Sequence, residues 1–307
     1  QALMPGLVNA HTHAAMSLLK GLADDLPLME WLQEHIWPAE RRWANRQFVY
    51  EGSKLAIAEM LRSGTTCFND MYFFAEETLR AVQETGIRAS LGMIVIDFPT
   101  AYADSVDDYL QKGLALQASI KHEPLIRVCL APHAPYTVSD EPLKRIRELA
   151  ASSNLPIHMH VHETTSEVVQ ALALNQERPL ARLERLGLLD QHFLAVHMTQ
   201  VQASEIANLA YKGVHVIHCP ESNLKLASGF CPVAQLLAAG VNVALGTDGN
   251  ASNNDLDMLG EMRTAALLAK AVAQDASVVS AHQALRMATI NGAKALGLER
   301  EIGSIES

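Results

Sequence analysis

Two histidines one residue apart, His11 and His13, stand behind an apolar run, and histidines recur behind similar runs at His133, His158, His160, His162, His197 and His218. In an extended segment residues i and i+2 point the same way, so both rings of Asn9-Ala10-His11-Thr12-His13 can reach one ion. The pattern alone is weak, since surface or core histidines produce it as well. Pro156-Ile157-His158-Met159-His160-Val161-His162-Glu163 alternates three imidazoles. One or two of them need face inward; the plainer reading is a histidine-rich strand with rings satisfied by solvent. Gly246-Thr247-Asp248-Gly249 is a tight turn presenting one carboxylate, either to an ion or as a helix N-cap. Together these segments offer three imidazoles and a carboxylate, a borderline-to-hard donor set that suits Zn²⁺, Fe²⁺ or Mn²⁺. With one coordination position open, bound water falls to a pKa of about 7 and becomes a nucleophile. Glu163 is three residues beyond His160, close to such an ion yet free to move protons, and a closed site raises a carboxyl enough to act as acid and base in turn. His197 follows Leu194-Ala195-Val196 and either joins the site or is a buried histidine bonded to a carbonyl.

Something must bring these segments together. Short, near-continuous apolar runs occur at 3–8, 65–69, 88–96, 125–131, 156–161, 193–196, 214–217 and 241–245. Amphipathic stretches with helical spacing separate them, as at 49–62, 75–84, 141–152, 204–210 and 232–238. Runs that are apolar throughout are expected of parallel strands buried on both faces, and eight of them alternating with helices predict an α/β fold, a (β/α)8 TIM barrel. Glycines fall where helices should end, at Gly86, Gly213 and Gly240. The stretch 97–123 reads as a loop plus one helix, and 280–298 as helical. At or just past the predicted strand ends lie His11, His13, Asp70, His133, His160, Glu163, His197, His218 and Asp248. In a barrel those ends share the face that carries the active site.

Pro5-Gly6-Leu7-Val8-Asn9-Ala10-His11-Thr12-His13, His160-Val161-His162-Glu163-Thr164 and Leu245-Gly246-Thr247-Asp248-Gly249 resemble the amidohydrolase superfamily. His218-Cys219-Pro220-Glu221-Ser222-Asn223-Leu224-Lys225-Leu226 and Gly249-Asn250-Ala251-Ser252-Asn253-Asn254 are similar to its methylthioadenosine/S-adenosylhomocysteine deaminase branch. The resemblance runs from Met4 to about Glu306 and implies metal ligands His11, His13, His160 and Asp248, with zinc the favoured ion. It further implies Glu163 as proton shuttle, His197 as a group holding the attacking water or the tetrahedral intermediate, and Asp248 as acceptor of the water's proton. A metal-activated water would attack C6 of an adenine ring while Glu163 protonates N1, releasing ammonia and an inosine-type product. His133 and Glu40 match positions that contact the nucleoside, Glu40 through ribose hydroxyls; the alternative for Glu40 is an ordinary helix-surface acid. Relatives that accept S-adenosylhomocysteine can hold its carboxylate with arginines after the third strand, where this chain has Met93 and then a loop, 97–108, with four aspartates and no basic residue. Methylthioadenosine is therefore the expected substrate over S-adenosylhomocysteine, its methylthio group meeting Met93. The fourth strand, Arg127-Val128-Cys129-Leu130-Ala131-Pro132-His133, lacks the lysine that bridges two metals in binuclear relatives, which favours one ion. The family adds a small β-sandwich from both chain ends; here the ends stop at its borders, so residues 1–307 are expected to form the barrel alone.

Bulk properties narrow the partners. Hydrophobic residues at 49% and charged residues at 19% fit a globular chain with a sizeable core, not a disordered one. A formal charge of −10 disfavours a nucleic-acid backbone as partner but not a neutral nucleoside, and the HxE…PCxxC pattern of nucleic-acid deaminases is missing. No apolar run approaches the roughly 18 residues of a membrane helix. Four cysteines without CxxC spacing suit a reducing, cytoplasmic setting. The opening residue is Gln1, as expected where the natural N-terminus and any targeting segment lie upstream. A homo-oligomer is expected on general grounds. The rival readings are a deaminase or hydrolase of guanine, cytosine or a triazine, and a non-catalytic metal-binding barrel. His35, His122, His192 and His282 read as surface; Trp31, Trp37 and Trp43 read as packing of the first helix, with a lid over the base as the alternative.

Overall fold

The computed structural model describes residues 3–306. The apolar runs become β1 (Leu7–Thr12), β2 (Thr65–Asp70), β3 (Arg88–Val95), β4 (Ile126–Pro132), β5 (Ile157–Val161), β6 (Phe193–His197), β7 (His215–His218) and β8 (Asn242–Leu245). They pair in parallel and in chain order, β1 through β8, as one sheet. Side chains pointing outward pack beneath the helices: Leu91 and Phe193 meet a continuous core with Ile57 and Met60 of the helix Arg46–Arg62 and Leu143 and Ile146 of Asp140–Ser153. The helices start where short polar side chains satisfy the first amides; Asn45 Oδ1, for example, accepts from Phe48 N at 3.0 Å. They stop at residues that tolerate a left-handed turn, such as Gly86 and Gly213 at φ +73° and +74°.

The sheet curls until β8 meets β1, and this seam is closed by few bonds. Asp248 N donates to His11 O at 3.1 Å. The buried Asn9 carboxamide supplies two more: Oδ1 accepts from Thr247 N at 3.0 Å, and Nδ2 donates to Thr247 Oγ1 at 2.7 Å. Gly246 permits the approach, because a Cβ there would lie 2.8 Å from His11 N.

The predicted strands agree with the observed ones to within two residues except the first, which is displaced from 3–8 to Leu7–Thr12. Leu3 is 85% exposed, whereas Asn9, His11 and Thr12 are fully buried; polar side chains inside the barrel disguised the strand as its own end. The 97–123 stretch is a loop followed by the helix Val106–Ser119, as expected. The 280–298 stretch breaks at Thr289 into Ala281–Met287 and Ile290–Ala295. Replacing Asn9 with Ala orphans the buried Thr247 amide, at about 1–3 kcal/mol for one unsatisfied group. Urea titration should show that loss in unfolding free energy; a parent-like value would mean that other bonds hold the seam.

Candidate metal centre and active site

The strand ends deliver four donor atoms to one point. His11 and His13 leave β1, His160 leaves β5, and Asp248 follows β8 on a turn with φ +62°. Donor atoms of all four lie within 4.8 Å of one another. His11 Nε2 and His13 Nε2 are each 3.2 Å from Asp248 Oδ1, and His160 Nε2 is 3.2 Å from His11 Nε2. Donors about 2.0–2.1 Å from a tetrahedral ion stand about 3.3 Å apart, so the cluster fits a divalent ion of zinc's size. The outer nitrogens are tied back. His13 Nδ1 donates to Met71 O at 2.5 Å and His160 Nδ1 to His133 O at 2.7 Å, which leaves each Nε2 lone pair facing the cluster. The second Asp248 oxygen accepts from Ser222 Oγ at 2.6 Å and Ser252 Oγ at 2.8 Å. Burial works against the Asp248 charge, but the adjoining His11 and His13 prevail and hold its carboxyl well below the usual range.

Beside this cluster sit an acid and a neutral imidazole. Glu163 is almost fully buried; burial, then the neighbouring Asp248 charge, pushes its carboxyl well above the usual value, so the protonated form is favoured. Glu167 anchors its backbone, Oε2 accepting from Glu163 N at 2.7 Å. His197 stands at φ +74° at the end of β6, with Nε2 3.8 Å from Glu163 Oε2. Asn223 Nδ2 donates to His197 Nδ1 at 3.0 Å, placing the His197 proton on Nε2, toward Glu163. Burial pushes His197 down to about 3 and keeps it uncharged. The alternative of a carbonyl-bonded core histidine does not hold. Asp70 and His218 lie outside the cluster: Asp70 Oδ1 accepts from Thr12 Oγ1 and Ala14 N and fixes the His11–His13 segment, and His218 is buried with Nδ1 unpartnered.

A cavity of about 470 Å³ opens over these groups, lined by His13, His160, Glu163, His197 and Asp248 at its base. One side of its wall comes from a helical run, Leu28–Trp43 overall, that widens to a π turn over Trp31–Ile36. Trp31, Leu32, Ile36, Trp37 and Glu40 of that run line the cavity, so two of the three tryptophans serve as wall and not merely as helix packing; Trp43 is 52% exposed under Arg42. Glu40 is likewise no plain surface acid: burial pushes it up to about 7, opposed by the Tyr72 hydroxyl and His13. Tyr72 lines the cavity, its buried hydroxyl on the Glu40 side. His133 also lines it, Nδ1 3.0 Å from Thr137 Oγ1 and the ring pushed down to about 3 by burial, then by His13 and His11.

Two expectations are corrected. Met93 does not face the cavity. Strand alternation turns it outward against the helix Val106–Ser119, where a Cβ on Gly113 would lie 2.9 Å from Met93 Cβ, while Ile94 and Ile96 face in. The four aspartates of 97–108 do not line the cavity either; Phe98, Pro99, Thr100 and Ala101 do. Asp107 pairs with Arg145 at 2.6 Å and Asp108 with Lys112 at 2.8 Å, while Asp97 accepts from Ser139 Oγ. Arg41, without an ion-pair partner among the described residues, does line the cavity. Tyr72 and Arg41 escaped sequence reasoning, and Ser222, Asn223 and Ser252 entered it only inside the motifs that carry the resemblance, without a role. His122, His192 and His282 are exposed and His35 is half-buried, all away from the cluster.

The amidohydrolase family model matches residues 2–307. A protein of Teredinibacter turnerae named 5-methylthioadenosine/S-adenosylhomocysteine deaminase is 56% identical over 306 residues, which span 100% of this chain and 69% of that protein. A 5'-deoxyadenosine deaminase of Methanothermobacter thermautotrophicus is 46% identical over 297 residues, 97% of this chain and 69% of that one. The crystal structure of an adenosine deaminase from Xanthomonas campestris with bound zinc superposes with a TM-score of 0.97 at 56% identity, covering 99% of this chain and 69% of that chain. With its model matched from one end to the other, the chain belongs to the amidohydrolase family.

Proposed function

We propose that the chain is a zinc-dependent deaminase of a 5'-substituted adenosine, with 5'-methylthioadenosine preferred over S-adenosylhomocysteine. One observation carries the reading: the His11, His13, His160 and Asp248 donors converge within 4.8 Å at the base of a cavity also lined by the buried Glu163 and His197. Relatives at 46% to 56% identity named for such substrates support it. His11, His13, His160 and Asp248 would hold one divalent ion, which supplies Lewis acidity and an acidic water beside C6. Glu163 gives its proton to ring N1 as the water oxygen bonds to C6. Asp248 takes one proton of that water and passes it to the amino group, which leaves as ammonia. His197 Nε2–H donates to the oxygen on C6, and the remaining hydroxyl proton restores Glu163 as C6 becomes a carbonyl. The N1 proton stays on the inosine-type product, so atoms and charge balance.

Glu40, Tyr72 and His133 suit the sugar and its hydroxyls, and a free guanine, cytosine or triazine would leave Glu40 without a partner. The tail of the substrate would lie against Trp31, Leu32, Ile36, Trp37 and Phe98, apolar surface that suits a methylthio group. Arg41 at the same cavity is the feature that favours the carboxylate-bearing alternative. No helix among the described residues is long and apolar enough to cross a membrane. Four buried, unpaired cysteines support a reducing cytoplasm, and exposed Val169, Leu172 and Leu174 on the helix Thr165–Asn175 support self-association.

Ammonia release from methylthioadenosine, S-adenosylhomocysteine, adenosine, guanine and cytosine tests the reading. The expected order places methylthioadenosine first in kcat/KM; a clear lead for S-adenosylhomocysteine overturns the preference, and a lead for a free base overturns the nucleoside reading. Glu163→Gln should retain zinc and lower kcat by about 10²- to 10⁴-fold, and a parent-like kcat would remove Glu163 from proton transfer. Elemental analysis should find about one zinc per chain, as a single four-donor centre requires. His160→Ala should purify largely metal-free; zinc at the parent level in that variant would place the centre elsewhere.

A further inference from the structure

Two short helices beside the donor cluster carry its outer supports. Pro220–Lys225 supplies Ser222, whose Oγ donates to Asp248 Oδ2 at 2.6 Å, and Asn223, whose Nδ2 donates to His197 Nδ1 at 3.0 Å. Asn250–Asn253 supplies Ser252, whose Oγ donates to the same Asp248 oxygen at 2.8 Å. Helices of six and four residues make too few internal bonds to hold their own place, so the contacts they dock on must position them.

Both are tied to one buried side chain. Glu261 sits in the first turn of the helix Met258–Ala273, fully buried, outside the cavity lining and without a paired cation among the described residues. Its Oε1 accepts from Asn253 Nδ2 at 2.5 Å, and its Oε2 accepts from Glu221 N, near the start of the other short helix, at 3.4 Å. Asn253 Nδ2 also donates to Thr247 O at 2.8 Å, the carbonyl directly before Asp248. Both partners of that amide group accept, which settles its orientation and leaves the buried Asn253 oxygen without a partner. A second contact ties Pro220–Lys225 to the same long helix: Thr264 Oγ1, one turn beyond Glu261, donates to Glu221 Oε1 at 2.7 Å. Burying a carboxyl away from any cation costs stability, yet both bonds of Glu261 go to segments that support Asp248 and His197.

We propose that Glu261 is a positioning residue for the proton-transfer groups: one carboxyl braces both short helices, so that Ser222, Ser252 and Asn223 hold Asp248 and His197 in place. Through Asn253 it also fixes the Thr247 carbonyl, and with it the left-handed turn, φ +62°, on which Asp248 stands. The inference rests on the deaminase reading given above.

The test compares Glu261→Leu and Glu261→Gln with the parent in two measurements. One is Zn²⁺ affinity of the zinc-free protein, by competition with a chromophoric chelator. The other is kcat and KM per zinc-loaded chain, for the nucleoside turned over best and well below the unfolding midpoint. Glu261→Leu fills the space without an acceptor and should lose about 10-fold in both Zn²⁺ affinity and kcat, the low end of what losing a metal ligand's outer partner costs. KM should stay within about twofold, because Glu40, His133 and Trp31 come from other elements. Glu261→Gln keeps one acceptor oxygen and should fall between parent and Glu261→Leu. Parent-like kcat and Zn²⁺ affinity in Glu261→Leu overturn the proposal even if that variant unfolds at a lower temperature, the mark of a merely structural role. Equal losses in both variants overturn it as well, as does a rise in KM with kcat unchanged. Should Glu261→Leu fail to fold, Glu261→Gln decides alone: lower kcat and weaker Zn²⁺ binding at the parent's KM support the proposal, and parent-like values overturn it. A parent protein that takes up zinc yet turns over none of the nucleosides overturns the deaminase reading, and this role with it.

Discussion

Four donor atoms held within 4.8 Å of one another repel wherever lone pair meets lone pair, unless something positive sits among them. The rest of the molecule is arranged to hold that crowd in place. Its members come from β1, β5 and the turn after β8, segments up to 237 residues apart in the chain, and only a closed barrel makes those ends neighbours. The β8–β1 seam, where His11 and Asp248 meet, depends on Asn9, Gly246 and one backbone bond. Four non-glycine residues at the same rim have positive φ: His162 at +53°, His197 at +74°, Met198 at +52° and Asp248 at +62°. Each costs roughly 1–3 kcal/mol, which the packed barrel beneath offsets.

The two carboxyls at the cavity base are driven apart by their surroundings. Asp248 lies against two histidines, receives bonds from two serine hydroxyls and stays ionised. Glu163 has only a long contact from Ser228 Oγ at 3.4 Å, and feels the Asp248 charge beside it. One accepts a proton because its charge is solvated by the protein; the other releases one because its charge is not. His197 and His133 are uncharged for want of water, which makes them hydrogen-bonding groups and not cations in the presence of a neutral ring.

The barrel and the donor cluster were legible in the chain because both follow from short-range rules. Buried parallel strands read as unbroken apolar runs, and an active barrel collects its polar groups just after them. His11, His13, His160, Glu163, His197 and Asp248 all stand where that logic puts them. What failed was facing. Whether Met93 or Ile94 looks into the cavity turns on a shift of one residue, which an apolar run on both faces cannot reveal. The same ambiguity hid the division of the three alternating histidines: His160 joins the donors, His158 lies deeper against His11, and His162 turns away to Leu180 N and Glu205. Tyr72 comes from a loop and Asn223 from the short helix Pro220–Lys225, and no periodicity encodes where either segment lies over the barrel end.

The helical run Leu28–Trp43 contributes most of the wall where a substrate tail would rest, yet it carries none of the four donors. Its π turn packs one extra residue into each winding, so Trp31, Ile36, Trp37 and Glu40 come around to the same side although their spacing suits no regular α-helix. Losing or gaining a single residue there would rotate a new set of side chains over the cavity and leave the ion-holding strands untouched. The molecule therefore separates what it does to a ring from which ring-bearing molecule it admits. The second can drift by slippage of one short helix, at no expense to the first.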